Sequence, residues 1–162
     1  MKNIFIVLVI FIVSFDILAQ VARQKDSHEH GAAKLMMVME GEKLQVEFEV
    51  PSESLIGFEH FPKSQSNRKN FNESIKILSD PSKLFSMPIK AECLLVGMNV
   101  SQSLFSNEEE HGHDESEKSE IHSEFESNYY WNCQHLDEID SIGTQLMSFF
   151  PRIEEIRVNW IS

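Results

Sequence analysis

The stretch A-K-L-M-M-V-M-E-G-E-K-L-Q-V-E-F-E-V-P, residues 33–51, decides the fold. Its second half alternates: Leu44, Val46, Phe48 and Val50 are apolar, while Gln45, Glu47 and Glu49 between them are polar. Successive side chains of an extended chain point to opposite faces, so this segment is a strand with one face buried and one wet. Glu40, Gly41 and Glu42 separate it from an earlier apolar run, and the two together predict a β-hairpin. Leu35 to Met39 do not alternate, which predicts a strand covered on both faces. Pro51 closes the unit, because a proline cannot donate to a strand ladder.

Downstream, residues 52–62 form a mixed apolar segment expected to tuck under the sheet as a loop, with His60 turned outward. Phe71, Ile75 and Leu78 recur at helical spacing between Asn70 and Asp80, and Pro81 stops that helix. Leu84, Phe85 and Met87 give a short apolar turn. Residues 91–100 are rich in Leu and Val around Cys93, which predicts a strand buried on both faces. Residues 106–120 hold almost nothing apolar and form an acidic, solvated loop that bears His111 and His113. Phe125, Tyr129, Tyr130 and Trp131 lead to Cys133 in an aromatic strand. Ile139, Ile142, Leu146, Phe149 and Phe150 predict a short helix ended by Pro151, and Ile156, Val158 and Trp160 alternate in a terminal strand. Five strands and two short helices make an α+β fold, mainly an antiparallel sheet or small sandwich with the helices on one side.

Upstream, Lys2 precedes an apolar run from Ile4 to Phe15 that is too short to be a spanning helix, and Ala19 offers a small residue for cleavage. Residues 1–19 are therefore expected to be a signal peptide, with an uncleaved membrane anchor as the alternative, and residues 20–162 one domain. Export through this signal implies no stable membrane insertion after cleavage. The 162 residues carry 26 acidic and 14 basic side chains, a net charge of −12, and losing Lys2 together with Asp16 leaves that charge unchanged. Such a field repels nucleic acid and anionic membrane surfaces and concentrates cations.

Cys93 and Cys133 are an even pair in an exported chain, and an oxidising compartment is expected to join them; metal ligation is the rival reading, against which neither cysteine has a His or a second Cys at a ligand-like spacing. Closing a loop of about 40 residues stabilises a fold by on the order of 3 to 4 kcal/mol. A disulfide with Cα atoms within about 7 Å makes strands around 91–101 and 122–133 neighbours.

The seven histidines carry the functional signal, for six of them, His28, His30, His60, His111, His113 and His122, sit in polar or loop settings. His28 and His30 are one residue apart, as are His111 and His113, and in extended backbone each pair points to one side. Zinc accepts imidazole nitrogens and carboxylate oxygens in a tetrahedron, although copper and nickel suit the same donors. His122, Glu124 and Glu126 fall on one face of a strand with Phe125 facing the core, which nominates Glu124 as an oxygen ligand. Protons compete for imidazole near its ordinary pKa of about 6.5, so binding is expected to weaken as pH falls. His135, beside Asp137 and Glu138, reads as a surface residue. There is no Gly-flanked nucleophilic serine, glycine-rich phosphate loop or H-E-x-x-H helix, and no catalytic residue is assigned.

Four segments, H-E-H-G-A-A-K-L at 28–35, I-G-F-E-H-F-P at 56–62, I-H-S-E-F at 121–125 and E-E-I-R-V-N-W-I at 154–161, together resemble the ZrgA family. These are zinc-regulated periplasmic proteins of Gram-negative bacteria linked to zinc uptake. By that resemblance His28, His30, His60 and His122 match the family's motif histidines, and His111 and His113 match its His-rich insertion by position. The insertion is usually longer and richer in histidine than the segment here. The resemblance implies a non-enzymatic periplasmic zinc carrier, handing metal to the binding protein of a zinc transporter. The alternatives are a zinc-dependent hydrolase with an open metal position and a metal-free interaction module of the envelope.

Overall fold

A computed structural model describes residues 29–104 and 123–162. The expected signal peptide at 1–19 and the acidic loop at 106–120 lie outside these residues. The hairpin forms as its pattern requires. Strand β1 (Ala32–Glu40) pairs antiparallel with β2 (Lys43–Pro51) from Lys34 opposite Glu49 to Glu40 opposite Lys43. Gly41 takes φ +61° in the two-residue turn, a conformation that glycine adopts without a Cβ clash.

Helix α1 (Ser52–Ile56) follows directly, where a loop was expected, and buries Leu55 and Ile56. Helix α2 (Gln65–Leu78) starts five residues before the apolar pattern predicts, because the Ser64 hydroxyl accepts the Asn67 amide at 3.0 Å and caps it. Helix α3 (Pro81–Leu84) has a proline in its first turn and runs into the short strand β3 (Phe85–Ser86). After a 3₁₀ turn at Ile89–Ala91 come β4 (Cys93–Gln102) and β5 (Glu124–Cys133). A second 3₁₀ turn (Leu136–Glu138), β6 (Gly143–Thr144), α4 (Leu146–Phe149) and β7 (Glu155–Ile161) complete the order. The helix expected between Ile139 and Phe150 is thus reduced to four residues, since Gly143 and Thr144 leave it to pair with Ser86 and Phe85.

The main sheet has the order β4-β5-β2-β1-β7 and is antiparallel except at its far edge, where β7 runs parallel to β1. The core lies on one face only: Leu35, Met37, Val46, Phe48, Val50, Phe125, Tyr129 and Trp131 are buried there beneath the helices and the β3–β6 ribbon. Phe71 of α2 packs on Phe125, and Phe85 meets Tyr129 and Trp131 edge-on. The Tyr129 hydroxyl donates to the Leu78 carbonyl at 2.9 Å, which fixes the end of α2 to the sheet. Among the described residues a two-layer α+β domain results, with no element packed on the second face of the sheet.

Two burial expectations change. Strand β1 alternates after all, Leu35 and Met37 inward and Lys34 and Met36 outward, because only one face of the sheet is covered. Strand β4 is an edge strand with most of its residues exposed, not one buried on both faces. Cys93 and Cys133 stand directly opposite across β4 and β5, with Cα atoms 3.9 Å apart, and are joined as a disulfide. Among the described residues no helix is long and apolar enough to cross a membrane.

Candidate metal centre

Strand direction gathers widely separated parts of the chain at one end of the sheet. The start of β1, the end of β2, the start of β5, the end of β4 and the start of β7 all meet there, as their registers require. Hydrogen bonds tie these ends together. The Gly31 amide donates to the Ser54 hydroxyl at 2.8 Å, and the Gly31 carbonyl accepts from the amides of Glu154 and Glu155 at 2.8 and 3.0 Å. The Ser52 amide donates to the Ser123 carbonyl at 2.8 Å, and the Glu124 amide donates to the Ser103 hydroxyl at 2.9 Å. Arg157 of β7 binds Glu29 and, at 2.9 Å, Glu155. These two carboxylates, Glu29 foremost, hold the guanidinium pKa above its ordinary value. All four sequence segments quoted above contribute described residues to this end.

His30 sits in the turn before β1, and its side chain is 64% exposed. Its Nδ1 lies 3.4 Å from Oε2 of Glu53, in the first turn of α1. His60 follows α1, stacks on Phe58 with ring centroids 5.1 Å apart, and has Nδ1 2.9 Å from the Phe61 carbonyl oxygen. That oxygen can only accept, so Nδ1 is the donor, and in the neutral ring the lone pair is on Nε2. In His60 Nδ1 is engaged by a carbonyl and Nε2 is the nitrogen left to ligate, while the His30 ring has the Glu53 carboxylate within ion-pair distance. Metal-bound histidines use one ring nitrogen on the ion and engage the other with a carboxylate or carbonyl, which fixes the ring.

The geometry of α1 places both histidines. Gly57 ends the helix with φ +86°, and a Cβ there would lie 3.0 Å from the Arg152 guanidinium. A side chain at this position would be strained by its left-handed backbone, and the Arg152 guanidinium would have to move aside. The hydroxyls of Ser52 and Ser123 are buried at the same end without a hydrogen-bond partner among the described residues.

Glu124 opens β5 opposite Pro51, half-buried, with Phe125 inward and Glu126 outward as the alternation predicts. His28, His111, His113 and His122 lie outside the described residues; His28 directly precedes Glu29 in the chain, and His122 directly precedes Ser123. Among the described residues no group of three or more His, Cys, Asp or Glu side chains comes together as a metal cage. The residue that sequence reading missed is Glu53. Its signal was a carboxylate in the first turn of a helix starting just after Pro51, but nothing local says that this turn faces His30.

A comparison with curated proteins finds no match. The family model described as "ZrgA family zinc uptake protein" matches residues 27–162, which takes in both described parts of the chain and the segment between them. By that match across nearly all of the expected mature domain, this protein belongs to the ZrgA family of zinc uptake proteins.

Proposed function

We propose that this protein binds zinc at the gathered end of the sheet and carries it in the periplasm, without catalysing a reaction. One observation carries the reading: both described candidate histidines have an oxygen beside the ring, the Glu53 carboxylate 3.4 Å from His30 and the Phe61 carbonyl hydrogen-bonded to Nδ1 of His60. In His60 that leaves Nε2 for a divalent ion, and Glu53 is placed to orient the His30 ring. Zinc is the cargo, and its donors are His30 and His60 with His28, His122 and Glu124. His111 and His113 serve as accessory donors in the acidic segment that draws cations in. The exposure of His30 suits exchange with an acceptor more than permanent retention. A zinc transporter's binding protein is the acceptor that the family's role in zinc uptake favours. Export fits the disulfide, which persists in an oxidising compartment.

Calorimetric titration of untagged protein with zinc tests this. His30→Ala and His60→Ala are each expected to lower affinity, and Glu53→Gln to lower it by about 10-fold to 100-fold through loss of the group that orients the ring. Unchanged affinity and stoichiometry in all three variants would reject the site.

A further inference from the structure

We propose that the free edge of β4 is the seam of a symmetric dimer, in which β4 pairs antiparallel with β4 of a second copy of this chain. The sequence C-L-L-V-G-M-N-V-S-Q contains no Asp, Glu, Lys, Arg or Pro, and it reads as a strand covered on both faces. Among the described residues it has one neighbour, β5, and Leu94 is 70%, Val96 67%, and Leu95 and Met98 each 45% exposed. Leu95 and Met98 fall on the core side, opposite Trp131 and Tyr129, and Leu94 falls on the solvent side, opposite Asn132, so both faces of the strand are uncovered. An edge of this length normally carries charges or proline to prevent pairing; here the bulge between Leu95 and Gly97 is the one such device. The other edge is guarded differently, because β7 carries Glu155 and Arg157.

The composition of the segment that links β4 to β5 speaks against it as the occupant. Residues 105–122, which link β4 to β5, offer Phe105 and Ile121 as their only large apolar side chains among many carboxylates. A second β4 supplies what this segment lacks: ten uncharged residues, with Leu95, Met98 and Val100 on the core side and Leu94 on the other, and along its outer edge backbone donors and acceptors that no described strand pairs, in matching order. An isologous pair of uncharged strands brings no like charges together at the seam, although each chain carries −12 overall. Salt screens that wider repulsion, with a Debye length of about 10 Å at 0.1 M and about 3 Å at 1 M, so association strengthens as salt is added.

Sedimentation equilibrium of the untagged protein over a concentration series, in 0.5 M sodium chloride with EDTA, reads the result directly. The expected mass doubles with concentration, and Leu94→Lys with Val96→Lys restores a monomer, with fold and disulfide checked by circular dichroism and thiol titration. Val158→Lys on the opposite edge leaves the dimer intact. In the wild type, amide hydrogen exchange along β4 slows as concentration rises, which tests the seam without any variant. A monomer at every concentration, an equal loss of association on substituting either edge, a dimer that EDTA dissolves, or β4 exchange indifferent to concentration would each overturn the proposal.

Discussion

Replacing both cysteines, Cys93→Ser with Cys133→Ser, separates the forces that hold the fold from those that hold the metal. The bridge closes a loop of 40 residues in sequence separation. In the chain-entropy description, removing that closure returns about 13 cal/mol/K to the unfolded chain, or about 4 kcal/mol at 25 °C. For a domain of this size each kcal/mol is worth roughly 2 to 4 °C, so the melting temperature is expected to fall by about 10 to 15 °C. Local structure explains where the loss is felt. Strand β4 has a neighbour on one side only, and the bridge pins its first residue to Cys133, whose amide donates to the Glu42 carbonyl at 2.7 Å.

The bridge and the candidate metal centre sit at opposite ends of strands nine to ten residues long, about 30 Å apart at 3.3 Å per residue. Zinc affinity at 25 °C is therefore expected to match that of the wild type. Thermal unfolding followed by circular dichroism, with reduced wild type as control, gives the first quantity, and calorimetric zinc titration of the folded variant gives the second. A melting temperature unchanged from the oxidised wild type refutes the stability argument. Zinc affinity that falls in the still-folded variant refutes the placement of the site.

Two further outcomes follow from the same packing. Burial pushes the Tyr129 phenol up to about 12, above its ordinary 10. A raised folded-state pKa stabilises below the unfolded value and loses that contribution as pH rises from about 10 through about 12; at two units this is about 3 kcal/mol, which denaturant melts at pH 9 and pH 12 check against Tyr129→Phe. Ser54→Ala removes the buried hydroxyl that accepts the Gly31 amide at 2.8 Å. A cost of about 1 to 3 kcal/mol in urea melts is expected, together with weaker zinc binding, because the turn bearing His30 loses its tie to the helix bearing Glu53.

Much of the architecture was legible along the chain. The alternation from Leu44 to Val50 places four side chains inward and their neighbours outward, as found. Phe125 faces the core between Glu124 and Glu126, and the two cysteines bridge adjacent strands. The helix over Phe71, Ile75 and Leu78 exists, with an earlier start that Ser64 marks. Described residues of all four segments resembling the ZrgA family contribute to one end of the sheet, and the family match covers residues 27–162.

Sequence by itself determined what depends on a residue and its near neighbours: which segments extend, which coil, and which face of β2 and β5 is apolar. Tertiary structure decided the rest. It placed β4 at an edge although its composition suits a centre, laid β7 parallel beside β1, and brought Glu53 to within 3.4 Å of His30. The periodicity of side chains records the direction each one faces relative to its own backbone, a short-range property. Which strand lies alongside, and which carboxylate meets which imidazole, depends on how distant segments are brought together by a shared core, and no local pattern encodes that.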